Sequence, residues 1–201
     1  MPPKTVEKIK LESLRLFAEE GYDGASLSKI TDKVGIRKSS LYNHFSNKED
    51  LFLTLVDDVY ERYVSEVKET VHQQPNDSYV EKKLYQALII TTDFLRKEAV
   101  GKFYMHFLLF PPGDLKAFVH ERFLRFEEEL NHVFLPIITD GMKNGEMKSG
   151  NPTHVLDAFY CLMDGMSAQM FYYDKKTVDQ KREHAWRVFW NGIKSESNDE
   201  M

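Results

Sequence analysis

The sequence predicts an all-α protein of about nine helices, and three features carry that prediction. Apolar residues recur at helical spacing through most of the chain. Gly and Pro are sparse, 10 and 7 among 201 residues, and they cluster between long runs as turns between helices do. No stretch shows the period-two alternation of β-branched residues that a half-buried strand needs. A hydrophobic content of 42% is enough for a sizeable core.

Taken in order, a first helix starts at Thr5, carries Val6, Ile9, Leu14, Phe17 and Ala18 on one face, and stops at Gly21. The GYDG tetrapeptide at 21–24 is a turn. Ser26 is placed to cap a second helix with apolar Leu27, Ile30 and Val34 at i, i+3 and i+7. Gly35 breaks that pattern, and Ile36 plugs the turn. A third, short helix follows over 37–45, where Leu41 and Phe45 are four apart and face inward. Ser46 and Glu49 read as an S-x-x-E capping box that opens a long helix to about residue 74. QPNDS at 74–78 is the clearest break, and a fifth helix is expected over 78–97. Pro111, Pro112 and Gly113 divide the aromatic stretch after Gly101 into two helices, the second one kinked or ended at Pro136. Gly145 or Gly150 supplies the next stop. Residues 152–173 are apolar nearly all round, which predicts a helix buried on both sides. A last helix over 178–194 carries Trp186 and Trp190, and the tail ESNDEM is expected to be disordered.

Several function classes fall away on composition. No run approaches the ~18 apolar residues of a membrane span, and MPPKTVEKIK lacks the apolar core of a secretory signal. One cysteine, Cys161, rules out an internal disulfide framework and fits a reducing cytosol, so a cytoplasmic location is expected. The seven His lie in no HxxxH or HExxH spacing, so no metal is expected. No phosphate loop, dinucleotide fingerprint or nucleophile elbow is present, which argues against an enzyme and against a cofactor.

Residues 26–48 stand apart. They carry Lys29, Lys33, Arg37, Lys38 and Lys48 against Asp32, a net +4 from five bases and one acid. The whole chain is −5, so the other residues carry −9. A cationic patch on an otherwise acidic chain is aimed at a polyanion. Two short helices joined at a Gly, the second with a polar and basic outer face, read as a helix-turn-helix.

Here the chain resembles the DNA-binding domain of the tetracycline-repressor (TetR) family. The resemblance rests on LRLFAEEGYDGASL at 14–27, Ile30, VGI at 34–36, SLYNHF at 40–45, and Lys48, Glu49 and Leu51. Ser13, Thr31, Arg37 and Ser39 depart from the family pattern. The resemblance implies a DNA-binding domain over 1–50 and an effector-binding and dimerisation domain over 51–201. It also implies a second helix that enters the major groove of a palindromic double-stranded operator. Lys38, Ser39 and Asn43 are then placed for base edges, joined by Ser28, while Ser26, Arg37, Ser40, Tyr42, His44 and Lys48 grip phosphates.

The same resemblance implies a homodimer through the last two helices and a small-molecule effector. Gly165, Ser167 and Ala168 give one patch of the 152–173 helix room for close approach, and Trp186, Phe189 and Trp190 of the last helix join them in the expected interface. Phe103, His106, Phe107, Phe110, Phe123, Phe126, Tyr160, Met163, Asp164 and Met170 are the candidate lining of an effector pocket suited to a hydrophobic or aromatic ligand. The alternative is a constitutive DNA-binding protein whose C-terminal domain only dimerises.

Overall fold

The computed structural model describes residues 5–73 and 79–196. The expected break at 74–78 and all but the first residue of the expected tail lie outside the described residues. Among the described residues nine α-helices follow one another: α1 (Thr5–Gly24), α2 (Leu27–Val34), α3 (Lys38–Tyr42), α4 (Lys48–His72), α5 (Val80–Leu95), α6 (Glu98–Leu109), α7 (Lys116–Lys143), α8 (Pro152–Gln169) and α9 (Lys175–Ile193). A single 3-10 turn, Gly113–Leu115, precedes α7. The only extended pairing among the described residues is one bridge, Met147 with Lys194.

Two compact units result. The first comprises residues 1–63 and 94–126, the second 64–93 and 127–201, so α4, α5 and α7 each contribute to both. In the first unit α1 packs mainly on α6 and α2. Its floor is aromatic: Phe17 and Phe52 meet edge to face at 5.3 Å, and Phe52 meets Phe103 at 5.4 Å. Further along, Tyr60 stacks on Phe126 at 4.4 Å and meets Phe107 edge-on at 5.3 Å. Aromatic pairs of this geometry contribute about 0.5–1.5 kcal/mol each beyond the area they bury. Lys10 bridges to Asp58 at 2.8 Å and Arg122 to Asp57 at 2.9 Å, tying α1 and α7 to α4.

The second unit is cored by Phe134, Phe159, Trp186 and Trp190. Phe134 and Phe159 meet edge-on at 5.3 Å, and Trp186 stacks on Trp190 at 5.9 Å. The buried Arg182 of α9 donates to the Thr92 hydroxyl of α5 at 2.7 Å and to Asp179 at 2.9 Å. Glu146 caps α5 by accepting from the Val80 N–H at 2.8 Å.

Some expectations need correction. α4 opens on Asn47, whose side chain accepts from the Asp50 N–H at 2.8 Å, while Asp50 reaches back to the Ser46 N–H at 2.8 Å. The cap is therefore Asn47 rather than Ser46, and Asp50 rather than Glu49 reaches back, to the N–H of the residue before the cap, so the reciprocal Ser46–Glu49 box does not form. α7 runs through Pro136 without ending there. α8 stops at Gln169 rather than 173, and α9 begins at Lys175 because Asp174 accepts from the Thr177 N–H at 2.7 Å. Nor is α8 buried on both sides within the chain: Asp157, Ala158, Cys161, Asp164 and Gly165 are exposed. The open face carries the small residues Ala158, Cys161 and Gly165 together with the carboxylates Asp157 and Asp164.

Candidate nucleic-acid interface

The recognition stretch is built by local chemistry. The Ser26 hydroxyl accepts from the Lys29 N–H at 3.2 Å, capping α2. Gly35 ends it in the left-handed region (φ 77°, ψ 37°), and the N–H groups of Gly35 and Ile36 both donate to the Thr31 carbonyl at 2.9 and 3.0 Å. A side chain at that φ costs about 1 kcal/mol, which explains the glycine. Ile30 and Leu41 are wholly buried and Phe45 is 5% exposed, so these three anchor α2 and α3 to the unit. With that face fixed inward, Arg37, Lys38, Ser39, Asn43 and His44 are all exposed, and Tyr42 is 49% exposed. Ser28 is exposed on α2, and Ser40 is half-buried. Exposed hydrogen-bond donors and cations are thus grouped on and around one short helix, an arrangement able to meet phosphates and base edges.

Lys29 and Lys48 are placed differently. The Lys29 ammonium pairs with Glu20 at 2.6 Å and donates to the Gly24 carbonyl at 3.1 Å. The Lys48 ammonium is half-buried, donates to the carbonyls of Tyr22 and Ala25 at 3.0 and 3.3 Å, and lies 4.1 Å from the centre of the Tyr22 ring. Both lysines therefore engage the turn between α1 and α2, where Gly21 breaks the helix at φ 71° and leaves carbonyls open.

The candidate effector residues divide between the units. Phe103, His106, Phe107, Phe110, Phe123 and Phe126 belong to the first, and Tyr160, Met163, Asp164 and Met170 to the second. Phe103 and Phe107 are 1% exposed within the aromatic floor, whereas Phe110 is 78% exposed. Four of them, Phe103, His106, Phe107 and Phe110, line a groove of about 370 Å³ together with Phe17, Tyr22, Phe52 and the Pro111–Gly113 turn. The Tyr160 hydroxyl donates to Asn131 at 2.8 Å, and Met163 is buried. Burial, then the nearby Glu127 charge, pushes the Asp164 carboxyl above its ordinary value, although the residue as a whole is exposed.

Sequence reasoning missed Tyr60. Its ring is 4% exposed, and its hydroxyl is buried with no hydrogen-bond partner in the protein. Burial, and secondarily Asp57, pushes that phenol far above its usual range. Its helical spacing from Tyr63 was visible, but nothing in the sequence marks which of two core tyrosines is left unpaired. Among the dimer candidates, Gly165 is exposed, with open space where a Cβ would stand, and Ala168 and Phe189 are half-buried. Trp186 and Trp190 are 5% and 8% exposed inside the chain's own core, Trp186 lying 5.2 Å from Tyr85. The last helix does not present its two Trp outward; it presents Val188, 76% exposed. Among the described residues no group of three or more His, Cys, Asp or Glu is arranged to hold a metal, and no helix is long and apolar enough to cross a membrane.

Comparison with known proteins points one way. Residues 12–55 match the family described as "Bacterial regulatory proteins, tetR family". Over 82 residues the chain is 34% identical to IcaR of Staphylococcus epidermidis, the negative transcriptional regulator of the biofilm operon icaADBC, covering 41% of this chain and 42% of that one. A shorter match of 41 residues, 46% identical, links it to the transcriptional repressor AcnR of Corynebacterium diphtheriae, covering 20% of this chain and 22% of AcnR. The chain thus spans less than half the length of the curated relatives it matches. By fold it resembles the transcriptional regulator FadR of Bacillus subtilis, whose structure is a complex with stearoyl-CoA, at a TM-score of 0.75, with 17% identity over 94% of this chain and 99% of that one.

Proposed function

Because the chain belongs to the TetR family of transcriptional regulators, we propose that it is a homodimeric repressor that binds a palindromic operator and is released by a small hydrophobic or aromatic effector. The observation that carries the DNA-binding part is the face of α3. Leu41 and Phe45 are buried while Arg37, Lys38, Ser39, Asn43 and His44 are exposed. Lys38, Ser39 and Asn43 read bases, with Lys38 donating to guanine and Asn43 pairing with adenine; Ser28 reaches from α2. Arg37, Ser40, Tyr42 and His44 hold phosphates. Ser26, whose hydroxyl caps α2, sets the helix rather than gripping DNA through its side chain. A head that reads a few base pairs needs a second copy one helical turn away, about 34–36 Å along the duplex, for useful affinity. The open small-residue face of α8, around Ala158, Cys161 and Gly165, with Val188 of α9, suits that pairing.

The aromatic cluster of the first unit supports the effector. The groove of about 370 Å³ lined by Phe103, His106, Phe107 and Phe110 with Phe17, Tyr22 and Phe52 offers a flat or apolar ligand an aromatic wall. A fold neighbour that holds stearoyl-CoA, a molecule with a long apolar chain, supports the same ligand class. The effector acts by changing the spacing of the two heads, and a coupling of about 1–3 kcal/mol shifts operator affinity some 5–150-fold.

The test has two stages. Duplexes selected from random DNA are titrated by fluorescence anisotropy against scrambled controls, and bound complex is then screened for release by acyl-CoA thioesters and flat apolar compounds. Palindromic selection with dimer stoichiometry is expected. Absence of any preferred duplex refutes the reading, and a complex that no such compound releases refutes its effector half.

A further inference from the structure

We infer that Lys48 is a positioning residue: it acts on DNA binding by fastening the α1–α2 turn to the start of α4 rather than by gripping a phosphate. This rests on the DNA-binding reading and assigns Lys48 a role within it. Three contacts carry the inference. The ammonium donates to the Tyr22 carbonyl at 3.0 Å and the Ala25 carbonyl at 3.3 Å, residues 26 and 23 positions earlier in the chain, and sits 4.1 Å from the Tyr22 ring centre. The Tyr22 carbonyl lies in the last turn of α1, where the helix dipole presents partial negative charge and favours a cation, and the Ala25 carbonyl lies in the link just before the Ser26 cap of α2. Lys29 approaches the same turn from α2, donating to the Gly24 carbonyl at 3.1 Å. The two lysines therefore hold three carbonyls between the last turn of α1 and the cap of α2, those of Tyr22, Gly24 and Ala25.

The consequence is geometric. Ala25, 2% exposed, immediately precedes the Ser26 cap of α2. Whatever fixes the turn at 22–25 fixes the start of α2 and, through the Gly35 turn, the pose of α3. The Tyr22 ring is itself held, edge-on to Phe52 at 5.0 Å and stacked near Phe17 at 6.0 Å. Lys48 thereby links the first residue of α4 to the aromatic floor and to the recognition pair. An ammonium engaged this way is not a mobile counter-charge: moving it to a phosphate would break two hydrogen bonds and one ring contact. Lys33, Arg37 and Lys38, all exposed, remain to supply the cationic contacts.

Salt dependence separates the two roles. Each phosphate neutralised adds about 0.9 to the slope of log K against log salt. For Lys48→Met, measured well below its melting temperature, operator affinity is expected to fall about tenfold at every salt concentration with the slope unchanged. Tyr22→Leu keeps an apolar side chain but removes the ring beneath the ammonium. It carries no charge of its own, and is expected to cost about threefold in affinity, again at constant slope. The double variant is expected to lose no more than Lys48→Met alone, because both changes undo one fastening. A slope reduced by about 0.9 per protomer in Lys48→Met, or losses that multiply in the double variant, overturns the inference and leaves the DNA-binding reading standing. A wild-type protein with no salt-dependent DNA binding overturns both.

Discussion

The two compact units use their polar residues in opposite ways. In the second, the one long cation of α9 that reaches the core, Arg182, is 7% exposed and bonded to Thr92 and Asp179, and both Trp of that helix are turned inward. In the first, α3 commits only Leu41 to the core along its length and leaves Lys38, Ser39 and the flanking Arg37, Asn43 and His44 in water. Burying a charge is tolerable only where partners satisfy it. A unit that buries Arg182 has used it for its own cohesion, whereas one that leaves Lys38 on a five-residue helix, with Arg37 exposed beside it, has both available to a partner. Within the first unit the same contrast recurs: Lys29, though exposed, and the half-buried Lys48 are bonded to the α1–α2 turn, while Lys33, Arg37 and Lys38 stand exposed.

The sharpest way to break this comparison acts on the backbone of the first unit. A Cβ at Gly101 would stand 1.8 Å from the Leu95 carbonyl oxygen. Gly101→Ala is therefore expected to destabilise by about 3 kcal/mol, the upper range for overpacking, and a urea unfolding midpoint unchanged from wild type would contradict the close approach of α6 to the end of α5. In the second unit, Arg182→Ala is expected to cost about 2 kcal/mol, less than a fully buried pair because Asp179 retains contact with solvent. Chemical denaturation reads it, and an effect under a few tenths would mean the bonds to Thr92 and Asp179 contribute no net stability.

The next change leaves stability alone. Lys38→Ala is expected to remove about 1–2 kcal/mol of discrimination between operator and single-base variants with melting temperature unaltered. Equal losses on operator and scrambled duplexes would move Lys38 from base reading to phosphate binding. Ser13 supplies a change in the other direction. It is fully buried in α1 and its hydroxyl has no partner, so Ser13→Ala should raise stability by about 1 kcal/mol. A lower melting temperature would show that the hydroxyl is satisfied in solution. The smallest effect is expected at Asp164. Its carboxyl has a raised pKa when folded, so its ionisation is disfavoured there. Stability from this group is greatest below the ordinary carboxylate range and declines as pH rises through the raised value. Asp164→Asn should thus gain on wild type between acid and neutral pH in paired thermal melts, and a difference constant with pH would remove the shift.

What was legible in the sequence is what local chemistry decides. The Ser26 cap, the left-handed Gly35, the inward pair Leu41 and Phe45 and the Pro111–Gly113 interruption all depend on residues within a turn of one another. Partners far along the chain were not legible. Helical periodicity tells which face a residue occupies, not what lies opposite, so the contacts of Lys48 across 26 positions and of Arg182 across 90 were out of reach. The same limit misled the reading of α9: two Trp four residues apart share a face, but nothing local says whether it turns inward or outward. Tyr60, a core tyrosine by spacing, is distinguished only by the missing partner of its hydroxyl.

The central claim is that the exposed face of α3 makes this chain a DNA reader, and affinity against salt on a selected palindrome and on its scrambled control measures that most directly. The expected result is a linear fall of log K with log salt on both duplexes, steep enough for several phosphates per dimer, with the palindrome favoured by about a thousandfold or more at physiological salt. Flat salt dependence, or equal affinity for both duplexes across the range, would contradict it.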